Sequence, residues 1–275
     1  PMVHPVKAPR PNALFHPKVW VLEYSNGDVS SFRMLCASRN LTNDRSWDLV
    51  VRLDGIGGES PSEKNSPLST FLRALPGMCV LPLPTERAAR VTALAEAVAS
   101  VEWELPDDVR SLRFHPLGIP GVVQEPLHQL FAGISHGIIS PFLTDEGIRR
   151  IVPAKSRSIT VLSRREQLDR LDRLTLDRID ALILDDAAND DVPEADDDLP
   201  EGEAAPRPKT EPFVGLHAKA YVLDRRTGSH LFVGSANATE AAFAGNVEML
   251  VEFEGPWTKL GVAAVLGAES PLRNL

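Results

Sequence analysis

An internal repeat constrains this chain more than any other feature. Leu216-His217-Ala218-Lys219-Ala220-Tyr221-Val222-Leu223-Asp224 aligns with Phe15-His16-Pro17-Lys18-Val19-Trp20-Val21-Leu22-Glu23. Each copy reads His-x-Lys, four residues, then an acid. A turn follows (Asn26-Gly27; Thr227-Gly228), then an apolar run, then Ser-x-Asn: Ser38-Arg39-Asn40 and Ser235-Ala236-Asn237. Thr42 and Thr239 keep one offset, and Asp48 and Glu248 each precede another apolar run. With seven His, seven Lys and 38 acids in 275 residues, chance yields roughly 0.02 matches to His-x-Lys-x4-acid. Two are present, so the chain is read as a duplication.

The strand period explains the spacing. Side chains two apart emerge on one face of a strand. His-x-Lys therefore presents an imidazole and an ammonium together, and the Asn ending the next strand adds an amide. Two copies related by a pseudo-twofold present two of each. Such a cluster suits a phosphate: lysines neutralise charge, amides donate, and histidines carry the chemistry.

The remaining pattern is α/β. Strands are expected at 19–22, 32–37 and 49–53, with Asn26-Gly27 closing a hairpin. Residues 85–100 read as an amphipathic helix with Thr85 as N-cap. After a strand at 111–114 and a Gly/Pro-rich connection comes a βαβα rhythm: strand 137–140, helix 144–151, strand 158–162, helix 165–176. A short helix is expected at 238–244. The first twelve residues hold four prolines and read as an extended arm. The initial Pro suggests a processed or excised chain, and no charged-then-apolar signal pattern is visible.

Composition narrows the classes. No run approaches the ~18 apolar residues of a membrane span. Two cysteines cannot build a disulfide framework or a Cys-rich zinc site, so a reducing, cytoplasmic setting is expected. The net charge of −9 sits in Asp185–Glu211, which holds 11 acids and two bases; outside it acids and bases balance at 27 each. That segment, with four prolines, reads as a disordered acidic insertion. The low overall charge therefore leaves room for a local basic groove.

The paired motifs resemble the phospholipase D superfamily, with its two HxKxxxxD motifs and GSxN-type turns. The likeness covers about residues 14–53 and 137–255, and the chain also resembles the nuclease-like bacterial members. Glu23 stands where the family has Asp, and Ala37 where it has Gly. The resemblance implies an α-β-α sandwich of two pseudo-twofold halves, each a mixed sheet flanked by helices: 1–124 with the first motif and 125–275 with the second. No counterpart of the βαβα segment at 137–176 precedes His16, so the first half is expected to be N-terminally abbreviated, or completed by another segment. It further implies a phosphodiesterase using neither metal nor cofactor, with His16 as nucleophile forming a phosphohistidine and His217 as acid. Lys18, Lys219, Asn40 and Asn237 would hold the phosphate. Asp48 and Glu248 would orient the histidines through their far ring nitrogens, and Ser38 and Ser235 would donate hydrogen bonds in the site. Glu23 and Asp224 would form structural salt bridges.

Several residues carry two readings. Asn40 and Asn237 serve also as turn or N-cap residues. Arg39 reads as a second phosphate contact, and Arg164 as a groove residue or an exposed arginine at a helix start. His4, His115, His128, His136 and His230 are expected to be structural, and Trp20, Trp47, Trp103 and Trp257 to lie in the core. The favoured substrate is nucleic acid, DNA before RNA, with no membrane partner and with a helicase or phage-defence component as context. A phospholipase or phosphatidyltransferase, and a non-catalytic nucleic-acid-binding subunit, stand as alternatives.

Overall fold

The computed structural model describes residues 3–27, 29–40, 46–123, 125–184 and 215–270. The acidic segment expected to be disordered lies outside them, as does Thr42. In chain order the strands are β1 (Val19–Asn26), β2 (Val29–Ala37), β3 (Ser46–Trp47), β4 (Val50–Gly57), β5 (Val101–Trp103), β6 (Ser111–Leu117), β7 (Ser135–Ile139), β8 (Ser158–Leu162), β9 (Asp180–Leu182), β10 (Gly215–Leu216), β11 (Ala220–Arg225), β12 (Gly228–Gly234) and β13 (Glu248–Gly255). The helices are α1 (Ser66–Met78), α2 (Thr85–Ala99), α3 (Leu127–Leu130), α4 (Asp145–Ile151), α5 (Arg165–Leu168), α6 (Arg173–Leu176), α7 (Glu240–Ala244), α8 (Trp257–Leu260) and α9 (Val262–Leu266). The class is mixed α/β, with helices flanking the sheets. Among the described residues no helix is long and apolar enough to cross a membrane.

Two main sheets form. One is antiparallel, in the order β1-β2-β4-β5; the other runs β6-β13-β12-β11-β7-β8-β9, its β7-β8-β9 edge parallel. The two repeats fold in one register. Val19 faces Cys36 as Ala220 faces Val233, and Ala37 faces Val50 as Gly234 faces Leu250. The inner faces share one core. Phe32, Met34, Cys36 and Leu53 of the small sheet cluster with Val233, Met249, Val251 and Phe253 of the large one, and α1 and α2 add Leu68, Phe71 and Val98. The sheets therefore part between β5 and β6, not at residue 124: β6 pairs with β13 and belongs to the second sheet.

The outer faces differ. On the large sheet Tyr221, Leu223, Phe232 and Leu250 are no more than 1% exposed, packed with Phe131 and with Ile148 and Ile151 of α4. Their repeat counterparts are Trp20, Leu22, Leu35 and Val50. Trp20 is 48% and Val50 57% exposed, and the other two are half-buried. Among the described residues, helices cover the outer face of the large sheet, whereas Trp20 and Val50 leave that of the small sheet exposed. Trp20 is therefore not a core residue; Trp47 and Trp257 are exposed as well, while Trp103 packs on Phe114 as expected.

Local differences have local causes. The helix expected at 165–176 breaks into α5 and α6, because the backbone N–H of Asp172 is captured by the Asp145 carboxylate (3.1 Å). Thr85 begins α2 but makes no side-chain cap bond; Pro84 precedes it. The cap of α7 is Thr239, whose side chain accepts from Ala242 N–H, so Asn237 is released from that duty. The proline arm is tied down, with Lys7 N–H on Met78 O and Val80 N–H on Pro5 O (both 2.9 Å).

Gly234 holds a close approach that its counterpart Ala37 does not face. A Cβ there would lie 1.9 Å from the Met249 carbonyl oxygen. Gly234→Ala is expected to lower stability by about 3 kcal/mol through backbone displacement. Thermal unfolding checks this; an unchanged melting temperature would overturn it.

Candidate active site

The backbone brings the two motifs together crosswise. Phe15 bridges Val247 in parallel, and Leu216 pairs with Trp47 in parallel between β10 and β3. His16 N–H donates to Val247 O (2.9 Å), and His217 N–H to Trp47 O (2.7 Å). Each histidine is thus seated on the residue just before the other copy's acid. Within each copy the strand returns alike: Ala37 N–H meets Lys18 O, and Gly234 N–H meets Lys219 O (2.9 and 3.4 Å).

The acid of the second copy consequently reaches the histidine of the first. His16 Nδ1 lies 2.9 Å from Glu248 Oε2 and 3.1 Å from Oε1. Glu248 is fully buried. Ser235 Oγ donates to its Oε2, and Asn246 Nδ2 donates to Oε1 (3.3 Å) while its own Oδ1 takes Leu14 N–H (3.0 Å). Ser235 therefore works through the carboxylate. Ser38, also buried, accepts from Leu49 N–H (2.9 Å), as Ser235 accepts from Met249 N–H (3.0 Å).

The first copy's acid behaves differently. Asp48, expected to orient a histidine, is ion-paired with Arg39 (Nε to Oδ2, 2.8 Å), and Arg39, expected on a second phosphate, is engaged by that carboxylate. The group against His217 Nδ1 is instead the Lys219 ammonium (3.0 Å). Arg39 carries a delocalised fixed charge that suits a carboxylate, and at its position the second copy has the small Ala236.

Both lysines are buried. Lys18 Nζ donates to His16 O (2.6 Å), and Lys219 Nζ to His217 O (2.8 Å). Burial pushes Lys18 down to about 8, with Glu248 opposing the shift. Burial pushes Lys219 further, to about 7; Lys18 and Arg164 add to the shift, and Glu248 and Asp48 oppose it. The ammonium of one motif thus lies within the field of the other motif's ammonium.

Arg164 joins this group from the end of β8. Its Nε donates to Leu216 O (2.9 Å), and its guanidinium sits 5.0 Å over the Phe142 ring. Asn237 Oδ1 is buried without a hydrogen-bond partner among the described residues. Its turn is fixed by Ala238, whose N–H donates to Ser140 Oγ and whose carbonyl accepts from Thr144 N–H (both 3.0 Å). Asn40 is exposed beyond β2. Among the described residues Glu23 and Asp224 make hydrogen bonds, not salt bridges: Glu23 accepts from Ser30 Oγ (3.3 Å), and Asp224 from Ser229 Oγ (2.6 Å) and Val262 N–H (3.2 Å).

Sequence reasoning missed Asn246 and Ser140. Asn246 stands two residues before Glu248, on one face of the approaching strand, a parity that would have flagged it. Ser140 carried no signal. Two histidines outside the motifs make structural contacts. His115 and His230 both meet Glu252 at 2.6 Å; burial alone would raise that carboxyl, but the two imidazoles hold it at about 2. Among the described residues no group of three His, Cys, Asp or Glu side chains could hold a metal ion.

Compared with known proteins, the chain matches no family model and no curated sequence.

Proposed function

We propose that this chain is a phosphodiesterase of the phospholipase D type that cleaves nucleic acid by a two-histidine mechanism. The observation that carries the reading is the crosswise seating of two His-x-Lys strands. It gathers two imidazoles, two buried ammonium groups and Arg164 around one buried carboxylate. A phosphodiester is the substrate group that calls for this collection: two cations for its charge and two imidazoles for attack and protonation.

The hydrogen bonds support distinct roles for the two histidines. A carboxylate only accepts, so the Glu248 contact places the proton of His16 on Nδ1 and leaves the Nε2 lone pair to attack phosphorus. The N–P bond forms as the P–O bond breaks, and the leaving oxygen takes its proton from His217. In the second step His217 removes a proton from water, whose oxygen displaces His16. Glu248 faces the imidazolium character that His16 gains while phosphorylated. The pseudo-twofold phospholipase D architecture belongs to this proposal. DNA is the favoured substrate, in the cytoplasm, beside a helicase or a phage-defence partner.

The test is cleavage of end-labelled single- and double-stranded DNA in excess EDTA. Wild type is expected to cut, and His16→Ala and His217→Ala to lose at least about 10³-fold. Absence of cleavage on every strand would overturn the nuclease reading. Liposome hydrolysis would then point to the lipid enzyme, and salt-dependent DNA binding without turnover to the binding subunit.

A further inference from the structure

We propose that Lys219 is a positioning residue for His217: its ammonium, seated against Nδ1, keeps the neutral imidazole's proton on Nε2. The geometry stands by itself; the catalytic consequence rests on the functional reading above. Lys219 Nζ spans two acceptors of one residue, the His217 carbonyl at 2.8 Å and Nδ1 at 3.0 Å. An ammonium has three donors and no acceptor, so Nδ1 must offer its lone pair. Lys219 is fully buried, which fixes the approach.

The other motif shows the opposite arrangement with the same parts. Lys18 Nζ takes His16 O (2.6 Å), but Nδ1 of His16 is on the Glu248 carboxylate. One histidine therefore carries its proton on Nδ1 and the other on Nε2. In a pseudo-symmetric site this decides direction. When the P–O bond breaks, its electron pair goes to the leaving oxygen, which takes the proton from His217 Nε2 as Lys219 passes one of its own to Nδ1; the imidazole stays neutral, and its Nε2 lone pair later accepts a proton from water while Nδ1 returns its proton to the Lys219 amine.

The bias depends on the charge of Lys219. The cations acting on it are Lys18 and Arg164, and the anions are Glu248 and Asp48. Once Lys219 loses its proton, the amine can accept as well as donate, and the Nδ1–H form of His217 becomes accessible.

The experiment is ¹⁵N NMR of histidine-labelled full chain, reading tautomers through ring couplings, with His16→Gln and His217→Gln for assignment. Neutral His217 is expected in the Nε2–H form and His16 in the Nδ1–H form. Lys219→Met is expected to shift the His217 tautomer ratio by about tenfold, the worth of one charge-assisted hydrogen bond, with His16 unchanged. An unchanged His217 ratio, or an Nδ1–H form in wild type, overturns the proposal. If Lys219→Met does not fold, wild type titrated from pH 6 to 9 decides: the Nδ1–H form must grow as Lys219 deprotonates, and a constant ratio overturns it. The readout needs no substrate. The expected tautomers in a chain that cuts no DNA would sink the nuclease reading alone; EDTA-resistant cleavage with an unmoved ratio would sink this one alone.

Discussion

Lys219→Met is expected to melt several degrees above the parent chain and to cut phosphodiester bonds at least about 10³-fold more slowly. The two effects share one cause. Burial lowers Lys219 to about 7 from its model-compound value of 10.5, so the folded state holds this proton less well than the unfolded chain does. The sign follows from linkage: between about pH 7 and 10.5 the unfolded chain binds more protons, so stability rises with pH across that window. Below it the penalty of burying the charge is fully present, on the order of a few kcal/mol before the lost contacts are subtracted. Methionine has nearly the shape and no charge. Lys18, lowered to about 8, adds in the same direction. Wild type should therefore become more stable and less active as pH climbs past 8, because the ammonium groups that would face phosphate are discharged. Calorimetry and cleavage rates on one pH series check both limbs. A fall in stability for Lys219→Met, or parallel pH trends, would show that the buried charge is not the destabilising element.

Glu248→Gln is expected to lose about 10³–10⁴-fold in cleavage rate, the scale seen when a buried carboxylate that sets a histidine tautomer becomes an amide. The amide can donate to His16 Nδ1 as readily as accept from it. The proton then leaves Nδ1, and the nucleophilic lone pair at Nε2 goes with it. The same change removes the anion that supports Lys18 and Lys219, so the alkaline limb should move to lower pH. Asn246→Ala removes a 3.3 Å donor to the carboxylate and the acceptor of Leu14 N–H (3.0 Å) and should cost about tenfold or less. Rates from a folded Glu248→Gln protein within tenfold of wild type would remove Glu248 from the mechanism.

The repeat made the paired motifs legible and the architecture only partly so. His16, Lys18, His217 and Lys219 could be named because a strand has period two and the spacing occurs twice. Which acid meets which histidine could not be named. Equivalent positions say nothing of whether Glu248 serves its own copy or the other, and the answer depends on β3 and β10, each two residues long. Arg39 and Asp48 misled for a related reason: pairing of two side chains at strand ends is set by torsions that no spacing encodes. Helix α1 was not foreseen because Pro67, Pro76 and Gly77 break its periodicity; Pro67 sits in its first turn, where no N–H is needed. Trp20 was assigned to the core on residue type alone, but it lies on the exposed outer face of its strand.

The crosswise seating of the histidines also sets an order of assembly. The hairpins β1–β2 and β11–β12 close over short loops, whereas His16 and Glu248 are 232 residues apart along the chain. Contacts of that separation form only after long stretches have lost their freedom. Refolding should accordingly show sheet structure before any cleavage activity returns. Neither half, however well ordered alone, can complete the histidine pair: each supplies the ledge on which the other's histidine comes to rest.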